Sequence, residues 1–211
     1  MNKLAARMKE VWENIKPRSA HLGLSGEKEA MFDRYKYLIT SRMVVNGKTI
    51  IDFGCGGALL GLYLLENFKP SKYIGYDLSE RSIAQAMKNL ENYQNAVFTI
   101  LWEHRFNFAE LNPDIIVCLA CIIHFPTQLY LDNFLRECNK SGAKRLVLEI
   151  RDSGWGTQFA KIPYNSENDI YRACLTNKEY ISERLTNYNI SQSTEIGESE
   201  CQVLWYVKKK E

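Results

Sequence analysis

The chain has 211 residues, with 27 Lys or Arg against 25 Asp or Glu and a net charge of +2. That length suits one domain with a sizeable core, and the balanced charge excludes a uniformly basic nucleic-acid-binding surface while leaving a local patch open. The stretch with most positive charge, Lys208 to Lys210, reads as a solvated end. Six cysteines are scattered along the chain, and the Cys118-x-x-Cys121 spacing lies inside an apolar run with no second pair to complete a zinc site. Reduced thiols in a cytoplasm are expected. The first residues turn charged before any long apolar run, so no secretory leader is expected. The longest apolar stretch, 115–125, is too short to cross a membrane.

Taken in order, residues 3–15 carry Leu4, Met8, Val11 and Trp12 at helical spacing, with Pro17 ending the run. Ser25 is placed to cap a second helix whose apolar face includes Ala30, Met31, Tyr35 and Leu38. From residue 49 the pattern alternates strand and helix, the mark of a parallel sheet covered on both faces. Strands are predicted at 49–53, 73–76, 96–101, 115–119 and 145–150. Helices are predicted at 58–68, then from a Ser79 cap with Ile83, Ala86, Met87 and Leu90 inward. A further helix starts at a Thr127 cap, with Leu129, Leu131, Phe134 and Leu135 inward, and stops near Ser141-Gly142. Residues 151–168 read as a long polar and aromatic loop, a length that is usually functional inside a compact domain. Thr176 with Glu179 has the form of a capping box opening a helix to about Tyr188. Two strands, 190–196 and 202–207, close the chain.

The stretch 49–61 is the most informative. An apolar strand runs into Asp52, then Gly54, Cys55 and Gly56, then a helix beginning near Ala58. Glycines at such a turn let a ligand approach the backbone, and the helix start offers free N–H groups. The next strand ends in Asp77, where a carboxylate can accept both hydroxyls of a ribose. A nicotinamide or flavin fingerprint, Gly-x-Gly-x-x-Gly, fits poorly: counted from Gly54 its third glycine falls on Leu59. Asp77 has a second reading as a cap for the helix that follows it.

These residues resemble the class I S-adenosylmethionine (SAM)-dependent methyltransferases, whose first motif is Asp-x-Gly-x-Gly-x-Gly. One departure stands out: the third glycine falls on Ala58, and the additional glycine is Gly57. The resemblance is specific over 49–125 and topological beyond. It implies an α/β, Rossmann-like, doubly wound and mostly parallel sheet of seven strands with a C-terminal antiparallel hairpin. The expected organisation is a single domain, with 1–45 an N-terminal helical extension and 46–211 the core. In such enzymes the extension often covers the cofactor; its alternative reading is a pair of packing helices.

By the same resemblance, SAM and its product S-adenosylhomocysteine are expected on Asp52, Gly54, Cys55, Gly56, Asp77, Leu78 and Ala120. Trp102 or Glu103 is expected beside the adenine. His124, in the exit of the strand 115–119, is the candidate general base for a hydroxyl acceptor, or else a structural histidine. Arg151 either grips an anionic acceptor or pairs with Asp152 or Glu149; Trp155 and Tyr164 are candidates for stacking on the acceptor. The exit 119–126 lacks the Asp/Asn-Pro-Pro-Tyr/Phe motif of enzymes that methylate base amines, so DNA is not an expected partner. No metal-ligand set is recognised. The function implied is methyl transfer to a small-molecule acceptor, most simply at oxygen, on a sugar, a nucleotide-linked or a secondary metabolite. Two rivals stand beside it: an RNA methyltransferase, and a SAM-binding scaffold or regulatory protein without transfer activity. A monomer or homodimer is expected.

Overall fold

The structure, a computed structural model, describes residues 3–14, 27–101, 106–152, 157–159, 173–196 and 201–210. Seven strands form one sheet, ordered β3-β2-β1-β4-β5-β9-β8. They are β1 (Thr49–Phe53), β2 (Lys72–Asp77), β3 (Ala96–Ile100), β4 (Ile115–Cys118), β5 (Arg145–Arg151), β8 (Tyr188–Glu195) and β9 (Cys201–Lys208). The strands flank helices α1 (Lys3–Asn14), α2 (Glu27–Tyr35), α3 (Leu59–Asn67), α4 (Glu80–Asn89), α5 (Gln128–Lys140) and α6 (Lys178–Arg184). A separate two-residue pairing joins β6 (Gln158–Phe159) to β7 (Cys174–Leu175). The chain divides into two compact units, Lys9–Trp102 on one hand and Met1–Met8 with Glu103–Glu211 on the other. No helix among the described residues is long and apolar enough to cross a membrane.

In the unit Lys9–Trp102, β1, β2 and β3 pair in parallel. Parallel pairing requires crossover helices, and α3 and α4 supply them. The apolar runs of β1 and β2 are buried, as befits strands covered on both faces. Two glycines set the packing distances. A Cβ on Gly61 of α3 would lie 2.6 Å from Cζ of Tyr73, and one on Gly75 of β2 would lie 2.7 Å from the Phe98 ring and 2.9 Å from Cys55 Sγ. Tyr73 is thereby gripped between α3 and β3, with Phe98 edge-on at 6.2 Å. After Tyr35 the chain widens into a π-helical turn, Lys36–Thr40, which buries Leu38 and Ile39 completely. Tyr63 of α3 packs against Phe32, Tyr35 and Phe68 and shares a 2.8 Å hydrogen bond with Thr40.

In the other unit β4 and β5 are parallel, while β9 pairs antiparallel with both β5 and β8, with a bulge between Ile190 and Gln192. Its core contains a ring cluster of Phe106, Phe108, Phe125, Tyr130 and Phe134. The Ser79 and Thr127 caps form as expected, accepting from Ser82 and Tyr130 N–H at 3.1 and 3.2 Å.

Some expectations fail. The capping box at Thr176 does not form: Asn177 caps α6 by accepting from Tyr180 N–H at 2.9 Å, and Thr176 is buried against the Thr157 hydroxyl instead. The helix ends at Arg184 rather than near Tyr188, which opens β8. Met87 and Leu129, expected inward, are 58% and 68% exposed because α4 and α5 present narrower apolar stripes than assumed. The expected loop 151–168 contains β6, a strand too short to produce a period. The expected Ser25 cap lies outside the described residues.

Gly61→Ala drives a methyl into a ring that cannot move. It is expected to lower unfolding free energy by ~1–3 kcal/mol, the usual range for overpacking. Denaturant titration of the variant checks this, and an unchanged midpoint would contradict the packing described.

Candidate functional site

The turn after β1 is wired to the end of β2 by three successive N–H groups. Gly54 and Cys55 both donate to the Tyr76 carbonyl, at 2.8 and 2.9 Å. Gly56 then donates to Asp77 Oδ2 at 2.9 Å. The other oxygen of Asp77 accepts from Ser79 N–H at 2.9 Å, at the entrance to α4. A third tether comes from Asn89, whose side-chain amide donates to the Gly57 carbonyl at 2.8 Å. Gly54 and Gly56 adopt φ of 80° and 53°, a left-handed conformation that glycine reaches without strain. Ala58 adopts φ 58°, ψ 41° and leads into α3 with no side-chain cap on the helix. The loop therefore needs a left-handed residue where the motif has its third glycine, and alanine meets the need.

Of the two roles that the sequence left open for Asp77, the structure shows the cap at the entrance to α4. Asp77 anchors the loop and the α4 entrance, and the residue is half-buried. An ionised carboxylate offers about four lone-pair directions, and the backbone N–H groups of Gly56, Ser79 and Leu78 turn toward it. Burial raises its pKa, backbone N–H groups from Ser79, Gly56 and Leu78 offset part of that rise, and Glu13 of α1 adds to it. Glu13 itself accepts from the N–H groups of Glu80 and Arg81, while Lys9 pairs with Glu80. Leu78 is half-buried beside Asp77, and Cys55 is buried beneath the loop.

Asp52 has a different environment. Only 5% exposed, it accepts a 2.5 Å hydrogen bond from the Tyr73 hydroxyl. Burial raises its pKa to about 7; the Tyr73 bond opposes the rise and Asp77 adds to it. The Tyr73 hydroxyl is itself pushed well above its usual range, first by burial and then by Asp52. The motif spacing singled out Asp52, whereas Tyr73 and Asn89 went unnoticed. Nothing in one sequence shows that a tyrosine two residues before Gly75 reaches across to β1.

The unit holding Glu103–Glu211 carries the remaining candidates. Ala120, just past β4, adopts φ 49°. Its N–H donates to Glu149 Oε2 at 2.8 Å. Glu149 is 5% exposed inside β5, and it fixes a strained turn. An acid inside Val-Leu-Glu-Ile was the available signal, since a buried carboxylate needs a donor. His124 ends a short 3-10 turn, Ile122–His124, and is half-buried. Arg151 closes β5, half-buried, its carbonyl accepting from Thr176 N–H at 2.9 Å. Trp102, Glu103, Trp155 and Tyr164 lie outside the described residues.

Residues 50–142 match the family model described as a methyltransferase domain. The fold is similar to that of N-methyltransferase NodS from Bradyrhizobium japonicum WM9, solved with S-adenosylhomocysteine: TM-score 0.71, 13% identity, 99% of this chain and 100% of that one. Magnesium protoporphyrin IX methyltransferase (ChlM) from Synechocystis PCC 6803, solved with SAM, gives a TM-score of 0.69 at 15% identity over 99% of both chains. The fold is the Rossmann-like one of SAM-dependent methyltransferases. SAM and S-adenosylhomocysteine are the ligands of those two solved structures. Small RNA methyltransferase HEN1 is also similar, with a TM-score of 0.63 at 20% identity over 88% of this chain and 25% of that one. A search of curated protein sequences finds no match.

The raised pKa of Asp52 has a direct consequence for folding. The folded state holds a proton that the unfolded chain, with a carboxyl near 3.8, releases. The stabilisation is complete below about pH 4 and is lost as pH rises toward about 7, by about 1.4 kcal/mol per unit across that window. Thermal melts of wild type and Asp52→Asn between pH 4.5 and 7.5 are expected to diverge, the variant losing less stability with rising pH. Parallel curves would contradict the assignment.

Proposed function

We propose that this methyltransferase transfers a methyl group from SAM to a small-molecule acceptor, through an oxygen nucleophile. One observation carries the cofactor assignment. Asp77 fixes the glycine loop and the α4 entrance with one bond to each oxygen, and this leaves it able to accept a ribose diol. The backbone of Gly54, Cys55 and Gly56 is assigned to the methionine part of SAM, and Leu78 to apolar contact with the adenine. Ala120, set by Glu149, offers backbone to the cofactor. Asp52 acts from beneath the loop. The chain is read as a single domain in which residues 1–45 are a helical extension.

For the acceptor, the near-balanced charge and two neighbours named for small-molecule methyl transfer or N-methyl transfer support a compact substrate. His124 is assigned as the base that takes the acceptor proton, and Arg151 as the group that grips an anionic part of the acceptor. SAM is an activated donor, so alignment and exclusion of water supply much of the rate. The likeness to HEN1 favours RNA as the second reading. Salt-sensitive binding of tRNA, with affinity falling steeply as salt rises, would move the assignment there.

Asp77→Ala is expected to weaken SAM binding by ~1–3 kcal/mol, measured calorimetrically well below the variant's melting temperature. Unchanged affinity would remove the ribose assignment. His124→Ala is expected to slow turnover of the identified acceptor by ~10²-fold or more. Normal turnover with a lowered melting temperature would make His124 structural.

A further inference from the structure

Beneath the glycine loop lie two carboxyl groups, Asp52 and Asp77, with no cationic partner among the described residues. Asp52 receives one neutral donor, the Tyr73 hydroxyl, and faces Asp77 as its charged neighbour. Asp77 receives backbone N–H groups, with Glu13 of α1 as a further carboxylate nearby. Around Tyr73 the titratable groups are Asp52, Cys55 and, from α2, Tyr35. No cationic side chain pairs with Asp52 or Asp77 among the described residues. A buried carboxylate without a cation normally takes up a proton instead of staying charged. The Tyr73 ring lies against α3 at Gly61 and edge-on to Phe98, which holds its hydroxyl toward Asp52.

The cofactor supplies the missing charge in one of its two forms only. SAM carries a sulfonium and an ammonium against one carboxylate, a net cation. S-adenosylhomocysteine has lost the sulfonium charge with the methyl group and is net neutral. We propose that Asp52 is a proton-exchanging counter-ion by which this site tells cofactor from product: it is a carboxylate when the cation is bound and a carboxylic acid when the neutral thioether is bound. Binding SAM expels the Asp52 proton to water. Exchanging SAM for the product returns a proton to Asp52 and removes its attraction for the cofactor. Tyr73 is a positioning residue in this scheme, because its hydrogen bond sets how readily Asp52 ionises. The inference rests on the cofactor reading given above.

Proton counting by calorimetry tests it. SAM and S-adenosylhomocysteine are titrated into the full-length protein at pH 6, 7 and 8, each in two buffers of different ionisation enthalpy. For wild type, SAM is expected to release more protons than the product at pH 7, and the SAM-to-product affinity ratio is expected to rise several-fold from pH 6 to 8; one exchanged proton limits this to ~10-fold per pH unit. Asp52→Asn is expected to abolish that pH dependence, which also subtracts the cofactor's own ammonium. Tyr73→Phe removes the bond that eases ionisation and is expected to move the SAM profile to higher pH, a shift that a purely structural tyrosine would not produce. Equal proton counts for the two ligands, or an undiminished difference in Asp52→Asn, overturn the proposal while leaving SAM binding intact. No heat with either ligand overturns the proposal and the cofactor reading together.

Discussion

Asp77 directs its two carboxylate oxygens to two different parts of the chain, the turn that leaves β1 and the entrance of the helix that follows β2. Each oxygen satisfies a backbone N–H that would otherwise be left without a partner, at a cost of about 1–3 kcal/mol per buried donor. The geometry of the loop is therefore a property of β2 as much as of β1. With Gly54 and Cys55 bonded to the Tyr76 carbonyl, the turn has little freedom to open without disturbing the strand beside it. A site built this way is preorganised by backbone bonds, and its shape does not depend on long flexible side chains.

The same economy of means appears deeper in this unit. Gly61 lets α3 approach β2 closely enough to grip Tyr73, and Tyr73 in turn holds Asp52. A packing decision on the outer face of a strand thus reaches a carboxylate at the base of the loop in two steps. Glu149 and Ala120 repeat the pattern in the other unit, with a buried acid fixing a left-handed residue after a strand. In both places a carboxylate is used to hold main chain.

Most of the strand–helix alternation was legible because apolar runs of β1, β2, β4 and β5 are buried on both sides and are bounded by glycine, proline or cap residues. Ser79 and Thr127 could be read because a hydroxyl before an apolar period has a single local use. Thr176 misled for the same reason: Asn177, one residue later, has the better acceptor reach, and tertiary packing claimed the threonine hydroxyl for Thr157. Asp77 was found by its place at the end of a strand, a position that topology alone makes special. Tyr73 and Asn89 were not, because they act on segments 21 and 32 residues away and carry no local pattern. Met87 and Leu129 show the converse limit, since a helical period states which residues share a face but not how wide the buried part of that face is.

Ala58 has a consequence for how such loops are recognised. Holding alanine in the left-handed region costs roughly 1–2 kcal/mol relative to its usual conformation. Against that, its fully buried methyl contributes about 0.8 kcal/mol, and a glycine there would give the unfolded chain a further ~0.4–1 kcal/mol of conformational freedom. These quantities nearly cancel, so glycine and alanine are close to interchangeable at this point on thermodynamic grounds. The third glycine of the motif is then a frequent solution to a dihedral requirement, and a lineage can drift away from it without losing the loop. A search keyed to dihedral angles would gather relatives of this chain that a search keyed to glycine spacing passes over.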